Sequence, residues 1–401
     1  MSDAATPARR IADATLAMAV GLAGLASAMG VGRFAFTPML PLMQSAGLLD
    51  LAQGAWLAAA NYLGYLVGAL ACTFWPPPPR QAIRLGLAAV ALTTLAMAAP
   101  GGLALWLLLR FAAGVASACV LVGVSAWALA TLAALGQGSR AGVVFAGVGT
   151  GIAAAGLVGL AAGVTALAPA PTWLLLGGAS TLVAVAAWWA LPAGGDALAR
   201  APAAPAPIGA NGWRLVLCYG LFGFGYIVPA TFLPAQARAL VGEPALFGWV
   251  WPAFGLAAAL STLLASALCR DAAPRRLWAA AQLVMTAGLL AAAWRASLVA
   301  LMVCAVCVGG TFMVMTMAAM QEARRVAGAG APRLMAAMTA AFAAGQLLGP
   351  FTIGWLGARG DAALRAPHLL AAALLLGSAL ALWPGETGGR SLAAHPSRDP
   401  P

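Results

Sequence analysis

The chain has 401 residues, of which 63% are hydrophobic and only 8% are charged. Soluble domains use about 25% charged residues, so the composition excludes an ordinary soluble protein and favours a chain surrounded by lipid. The net charge of +11 comes from arginines, since the chain has no lysine. These arginines lie in short gaps between apolar runs, which indicates membrane topology and argues against a nucleic-acid partner.

In chain order, the sequence contains twelve apolar runs, each near the length of about 20 residues that a membrane helix needs. We therefore predict an all-α membrane protein with twelve transmembrane helices. The first six runs are 14–43, 54–75, 82–99, 103–131, 141–166 and 172–191, and the second six are 213–237, 245–268, 277–293, 297–319, 334–357 and 364–383.

A segment rich in proline and alanine, residues 192–212, separates the sixth run from the seventh. Its prolines disfavour helix and predict a semi-rigid linker. The predicted organisation is a six-helix bundle in 1–191, a second in 213–384 and a tail in 385–401. With both termini in the cytoplasm, fifteen arginines fall in cytoplasmic segments and four in outer loops, as the positive-inside rule requires.

The two halves resemble each other at a constant offset of 193 residues, without gaps. The matched pairs are Gly30 with Gly223, Gly32 with Gly225, Leu40-Pro41 with Leu233-Pro234, Trp56 with Trp249, Arg140 with Arg333, and Gly156 with Gly349. Matches that include tryptophan and proline at one offset indicate a duplicated six-helix unit. A parallel repeat of this kind is typical of transporters whose site lies between the halves.

Several longer stretches resemble the YbfB/YjiJ-type branch of the major facilitator superfamily. They are Gly30-Val-Gly-Arg-Phe-Ala-Phe-Thr-Pro-Met-Leu-Pro-Leu-Met-Gln44, Asn61-Tyr-Leu-Gly-Tyr65, Gly223-Phe-Gly-Tyr-Ile-Val-Pro-Ala-Thr-Phe-Leu-Pro234, Gln321-Glu-Ala-Arg-Arg325 and Ala340-Ala-Phe-Ala-Ala-Gly-Gln-Leu-Leu-Gly-Pro350. The resemblance implies a multi-pass transporter of the bacterial inner membrane that acts on a small-molecule substrate, works as a monomer and uses no cofactor. It supplies no established substrate.

General motifs of the superfamily match unevenly. The stretch 107–114 resembles the fourth-helix motif with its intramembrane Arg110, and 147–156 resembles the fifth-helix motif of antiporters without its proline. The gating loop after the second span lacks its aspartate, whereas its counterpart after the eighth span retains Arg270 and Asp271. Glu322 lies beside Arg324 and Arg325, so we predict a gating ion pair there.

Arg33 and Arg110 are the strongest chemical signals, because a guanidinium in mid-membrane costs about 2.5–3.5 kcal/mol. No Asp or Glu lies deep in a predicted span. One hypothesis is that Arg33 binds a carboxylate of the substrate, a task that suits the guanidinium fork. The alternative is that both arginines hold unpaired carbonyls near the Gly and Pro breaks. Arg110 fits the substrate role less well, because its motif is general to the superfamily.

Other polar residues in the spans either line a cavity or hydrogen-bond between helices. The candidate substrate-binding set contains, besides the two arginines, Thr37, Asn61, Tyr65, Tyr219, Tyr226 and Gln346. Asn61 and Tyr65 share one helix face. Arg33 corresponds to Tyr226 at the offset of 193.

Cys304 and Cys307 form a C-x-x-C pair inside a predicted span, where packing is a better interpretation than metal or redox chemistry. Three function classes compete: a carrier for a small organic solute, plausibly an anion; an exporter of lipophilic compounds; and a membrane enzyme. The loops contain no catalytic or metal-ligand cluster, so we expect a transporter and not an enzyme. The direction and the coupling ion stay open.

Overall fold

The protein is a bundle of long helices. The computed structural model describes residues 7–191, 207–240, 244–295, 297–356 and 365–383, so the predicted tail and most of the predicted linker lie outside the described residues. The α-helices are α1 (Pro7–Leu25), α2 (Phe36–Ser45), α3 (Leu51–Phe74), α4 (Pro79–Ala96), α5 (Gly102–Ala134), α6 (Ala141–Val164), α7 (Pro169–Ala190), α8 (Ala210–Leu240), α9 (Pro244–Leu268), α10 (Pro274–Trp294), α11 (Leu298–Ala327), α12 (Ala331–Leu356) and α13 (Arg365–Leu382).

Short non-α segments join some of these helices. A π-helix, Ala26–Phe34, connects α1 to α2, and single 3₁₀ turns at Gly138–Arg140 and Gly328–Gly330 precede α6 and α12. The described residues contain ten helical stretches long and apolar enough to cross a membrane. One of these, Val299–Gly349, joins α11 and α12, and α4 is absent from the ten. The all-helical membrane fold is thus confirmed, while the count of twelve spans stays a prediction.

Local sequence explains where several helices begin. Asp50 caps α3, because its carboxylate accepts from the Gln53 amide at 2.7 Å while the Gln53 side chain accepts from the Asp50 amide at 3.0 Å. Ser297 caps α11 in a similar way. Proline opens α4, α7 and α10, where a missing N–H costs nothing.

The two halves of the chain, α1–α7 and α8–α13, pack along two seams, α6 against α9 and α3 against α12. The 193-residue offset relates these two seams. Glycines face α9 from α6: a Cβ at Gly149 would lie 2.4 Å from the Ala259 amide nitrogen, and one at Gly156 would lie 2.8 Å from Pro252. Small residues therefore let the two backbones approach closely here.

Four interhelical turns share one end of the bundle. The turn before α6 meets the end of α9, because Ser266 accepts from the Gly142 amide at 3.1 Å. The cross-half contacts of Arg324 and Pro332 lie at the same end. We call it the arginine-rich end, because the turns 75–78, 135–140, 269–273 and 328–330 and the residues beside them include Arg80, Arg84, Arg140, Arg270, Arg275, Arg276, Arg324, Arg325 and Arg333.

Two further predictions concern single residue types. Trp56 and Trp249, which the repeat pairs, are both exposed, and exposed tryptophans on membrane helices are typical of the membrane–water interface. Cys304 is fully buried, and Cys307 lies against Gly288 of α10. No group of three or more metal-ligating side chains occurs in the part of the chain that the structure describes.

Candidate functional site

Arg33 lies near the end of the π-helix that interrupts the first span. Gly30 allows this segment to touch α6, since a Cβ there would lie 2.4 Å from the Gly151 Cα. Pro38, in the first turn of α2, has no N–H to donate back to the end of the π-helix. A π-helix shifts the hydrogen-bond register and is frequent at functional sites. The local sequence therefore explains close packing and broken helix geometry at the point where Arg33 projects.

The Arg33 side chain connects the two halves of the chain. It is 4% exposed, and its Nη2 donates to the Gln346 Oε1 of α12 at 2.7 Å. Its guanidinium carbon lies 3.7 Å from the centre of the Tyr65 ring on α3, a cation–π contact. The Arg33 Nε and Nη1 and the Gln346 Nε2 have no hydrogen-bond partner among the described residues. The site therefore offers unused hydrogen-bond donors around the buried positive charge of Arg33.

Arg110 has a different role, because it binds the backbone. Its Nη1 donates to the Gly32 carbonyl at 3.0 Å and its Nη2 donates to the Arg33 carbonyl at 3.1 Å. The Asn61 amide donates to the carbonyls of Gly32 at 3.3 Å and Arg110 at 2.9 Å. These bonds satisfy carbonyls of the π-helix. For Arg110 the geometry agrees with the predicted alternative in which arginine holds unpaired carbonyls.

Two of the remaining predicted site residues are buried in the second half, and the third is exposed. Tyr226 is buried and stacks on Phe312 with ring centres 5.1 Å apart, while its hydroxyl lacks a partner among the described residues. Tyr219 donates to Thr316 at 3.3 Å and packs in the second half. Thr37 is exposed on α2 and, in the described part of the chain, makes no side-chain hydrogen bond with Arg33 or Gln346.

An aromatic cluster that sequence reasoning missed adjoins the Arg33 site through Phe34, whose ring centre lies 5.5 Å from the Arg33 guanidinium carbon. Phe34 lies 6.4 Å from Trp251 and 6.5 Å from Phe312, so the cluster crosses between the halves. Phe254 stacks on both Trp251 and Phe312 at 5.3 Å. Helical periodicity alone places these rings in the core of their own spans, and no sequence signal indicates that they meet across the seam.

The four residues predicted to take part in gating make different contacts. Glu322 is fully buried and pairs with Arg275 at 2.9 Å and Arg325 at 3.0 Å, all within the second half. Arg324 instead crosses the seam, donating to the Leu129 carbonyl of α5 at 2.5 Å. Arg270 donates to the Ala267 carbonyl at 3.4 Å, and Asp271 lies exposed in the turn. Among the four, Arg324 alone makes a hydrogen bond between the described halves.

Solved structures share this fold at low sequence identity. The human organic anion transporter MFSD10 (TETRAN) superposes with a TM-score of 0.67 at 15% identity, over 94% of this chain and 100% of that one. FucP, a major facilitator superfamily transporter in the outward conformation, gives 0.68 at 15% identity, over 93% and 100%. A search of curated proteins found no match.

A family model described as "Uncharacterised MFS-type transporter YbfB" matches residues 25–382. This range includes the π-helix, Arg110, both seams and the Gln346 helix, and the resemblance noted in the sequence is thereby confirmed. The chain belongs to the MFS_4 family of major facilitator superfamily transporters.

Proposed function

We propose that this transporter moves a small organic anion by alternating access between two six-helix bundles, with Arg33 binding the anionic group. The observation that carries the proposal is the buried Arg33 guanidinium, which spans the halves and keeps two nitrogen donors unused. Family membership supports a secondary transporter, and the likeness to solved structures supports the fold alone. The anionic substrate therefore rests on Arg33.

Charge balance favours an anion over a cation. Four acids, Asp13, Asp50, Asp271 and Glu322, fall in the described residues, and none of them pairs with Arg33 there. Two buried guanidinium groups, Arg33 and Arg110, without an acidic partner among the described residues disfavour a further positive charge, because desolvated like charges repel strongly. A carboxylate would supply the missing counter-charge and could accept two parallel hydrogen bonds.

Neighbouring groups fit the recognition of an organic anion. The Gln346 Nε2 and the Tyr226 hydroxyl have no partner among the described residues, and each can donate to an oxygen acceptor. The aromatic rings around Phe34 offer apolar surface for the rest of the solute. Binding sites of this kind combine a few placed polar groups with aromatic walls.

Orientation, location and assembly belong to the same proposal. We place the arginine-rich end in the cytoplasm of a bacterium, with the protein in the inner membrane, because the positive-inside rule favours that orientation. The two helix bundles, joined by the Pro/Ala linker, would rock about the α6–α9 and α3–α12 seams. Monomeric function follows only by analogy with the superfamily.

A second candidate function is the export of lipophilic compounds. The aromatic cluster supports it, because Trp251, Phe254 and Phe312 present stacked rings at the seam between the halves. In that case the solute would be neutral, and Arg33 would serve only to join the halves through Gln346.

Thermal unfolding of the purified protein separates the two candidates. We expect small mono- and dicarboxylates to stabilise the wild type, by about 2.7 kcal/mol at 100 times their Kd, and to stabilise Arg33→Gln less. This substitution removes the charge and keeps an amide that can hydrogen-bond to Gln346, so we expect the fold to be retained. The matched control is Arg295→Gln, which removes an exposed arginine away from the site. Stabilisation only by neutral lipophiles, unchanged in Arg33→Gln, would reject the anion carrier in favour of the exporter.

A further inference from the structure

A cavity with a volume of about 430 Å³ lies at the arginine-rich end, between the two halves. Its first-half wall comes from α5 and the 3₁₀ turn before α6, and its second-half wall comes from α9, α10 and α11. A volume of this size accommodates a small organic molecule. It lies away from the Arg33 site, which shares no lining residue with it.

Three arginines line this cavity, namely Arg270, Arg324 and Arg325. No Asp or Glu is among its lining residues in the described part of the chain, and Asp271, next to Arg270 in the sequence, does not contribute to the wall. Glu322 lies behind the wall and divides its carboxylate between Arg275 and Arg325. The local charge is therefore positive and only partly compensated.

The guanidinium of Arg324 is held in one orientation. Its side chain reaches across the cavity wall to the Leu129 carbonyl, which leaves further guanidinium N–H groups for another acceptor. Gln321, Ser139 and Ser266 add neutral polar groups to the same wall. A guanidinium held in place by a backbone carbonyl is oriented in advance to bind an anion.

We propose that this cavity is a second anion site, which binds carboxylate or phosphate oxygens through Arg324 and Arg270 at the arginine-rich mouth of the transporter. The inference rests on the proposed function, because the site would hold the anionic solute as it enters or leaves. The same chemistry would also accept the phosphate of an anionic lipid headgroup. The two sources share one recognition chemistry and differ in whether the anion arrives from water or from the bilayer.

Cys269 provides a local probe, because this free thiol lines the cavity. We would measure its rate of modification by a neutral maleimide, followed by peptide mass spectrometry, in lipid-free detergent with and without inorganic phosphate or citrate. An anion at ten times its Kd leaves about one site in eleven open, so the rate should fall about tenfold. A parallel arm would use nanodiscs of phosphatidylcholine with or without phosphatidylglycerol and no added anion.

Variants identify the residues responsible. Protection of Cys269 should disappear in Arg324→Gln and in Arg270→Gln and persist in Arg276→Gln, an exposed arginine at the same end that is absent from the cavity wall. Protection in detergent identifies a soluble anion, and protection only with phosphatidylglycerol identifies a headgroup; both support the site. Absence of protection in every arm, or protection that survives Arg324→Gln and Arg270→Gln, would overturn it.

The same readout separates this proposal from the one on Arg33. Arg33→Gln should lose carboxylate transport and still show protected Cys269. If Arg33→Gln transports normally while Cys269 remains protected, the function proposed for Arg33 fails and the cavity site stands. If Arg33→Gln abolishes transport while no anion protects Cys269, the cavity site fails and the anion carrier stands.

Discussion

Arg33 and Gln346 are 313 residues apart in the chain and share a buried hydrogen bond of 2.7 Å. The bond joins the π-helix of the first half to α12 of the second, beside the seam that α12 forms with α3. Because alternating access requires the halves to move against each other, a bond at this position would break and re-form during the cycle. An anion that binds the Arg33 donors would compete with Gln346 and so weaken this hydrogen bond.

Replacement of Gln346 by glutamate would place a carboxylate against Arg33. We expect Gln346→Glu to weaken stabilisation by external carboxylates, because the internal carboxylate occupies the Arg33 guanidinium. Gln346→Ala should weaken stability by about 1–3 kcal/mol through the lost buried hydrogen bond while retaining a response to carboxylates. Thermal unfolding with a carboxylate series distinguishes the variants. An equal response in both would show that Arg33 does not bind the anion.

Removal of Arg110 should lower the stability of the protein more than its recognition of the substrate. Arg110→Ala removes the guanidinium donors to the carbonyls of Gly32 and Arg33 and leaves Asn61 as the remaining side-chain donor to Gly32. Each charged hydrogen bond contributes about 1.5–3 kcal/mol. We expect a large fall in the melting temperature in detergent. The exposed Arg295→Ala serves as the control. A stable Arg110→Ala protein that no longer responds to carboxylates would instead assign Arg110 to the substrate site.

The α6–α9 seam depends on the absence of a side chain at Gly149. A Cβ there would meet the Ala259 amide nitrogen at 2.4 Å, so Gly149→Ala must push the two helices apart. We expect a loss of about 1–3 kcal/mol from this overpacking, together with slower transport. Gly178→Ala on α7 is the matched control, because nothing lies within 4 Å of its added Cβ. Equal melting temperatures of the two variants would contradict this description of the seam.

Glu322 should contribute to the stability of the second half. It is the only described acid that is buried with two arginine partners, and breaking a buried pair from one side costs about 3–5 kcal/mol. We therefore expect Glu322→Gln to lower the melting temperature strongly and Asp271→Asn, in an exposed turn, to leave it unchanged. A stable Glu322→Gln protein with altered transport would point to gating without a structural contribution.

The helical membrane fold and the family could be read from the sequence, because they depend on features that are local in the chain. Apolar runs and short motifs such as Asn61-Tyr-Leu-Gly-Tyr65 can be recognised without knowing how each helix is rotated. The pairing of Arg33 with Gln346 could not be read, since it depends on how α12 turns towards the π-helix. The count of membrane spans shows a related limit: ten described stretches qualify, and twelve remains a prediction.

Single residues of the candidate site show the same difference between local features, which the sequence predicts, and contacts between helices, which it does not. The preference of Arg110 for carbonyls was one of two alternatives in the sequence, and the π-helix that exposes those carbonyls leaves no periodic signal. Thr37 follows Arg33 by four residues, yet Thr37 is exposed whereas Arg33 is buried, because the change from π- to α-helix alters the facing of successive turns. The sequence placed Glu322 beside Arg324 and Arg325; the structure pairs it with Arg325 and with Arg275 of α10, and Arg324 binds elsewhere.

The central claim is that Arg33 binds the anionic group of a transported solute. Its most direct test is counterflow in proteoliposomes, using the radiolabelled form of whichever carboxylate stabilises the wild type most. Wild type and Arg295→Gln should accumulate the label against unlabelled solute inside, and Arg33→Gln should lose at least about tenfold in rate, equivalent to about 1.4 kcal/mol. Counterflow of the carboxylate at the wild-type rate by a well-folded Arg33→Gln protein would contradict the claim.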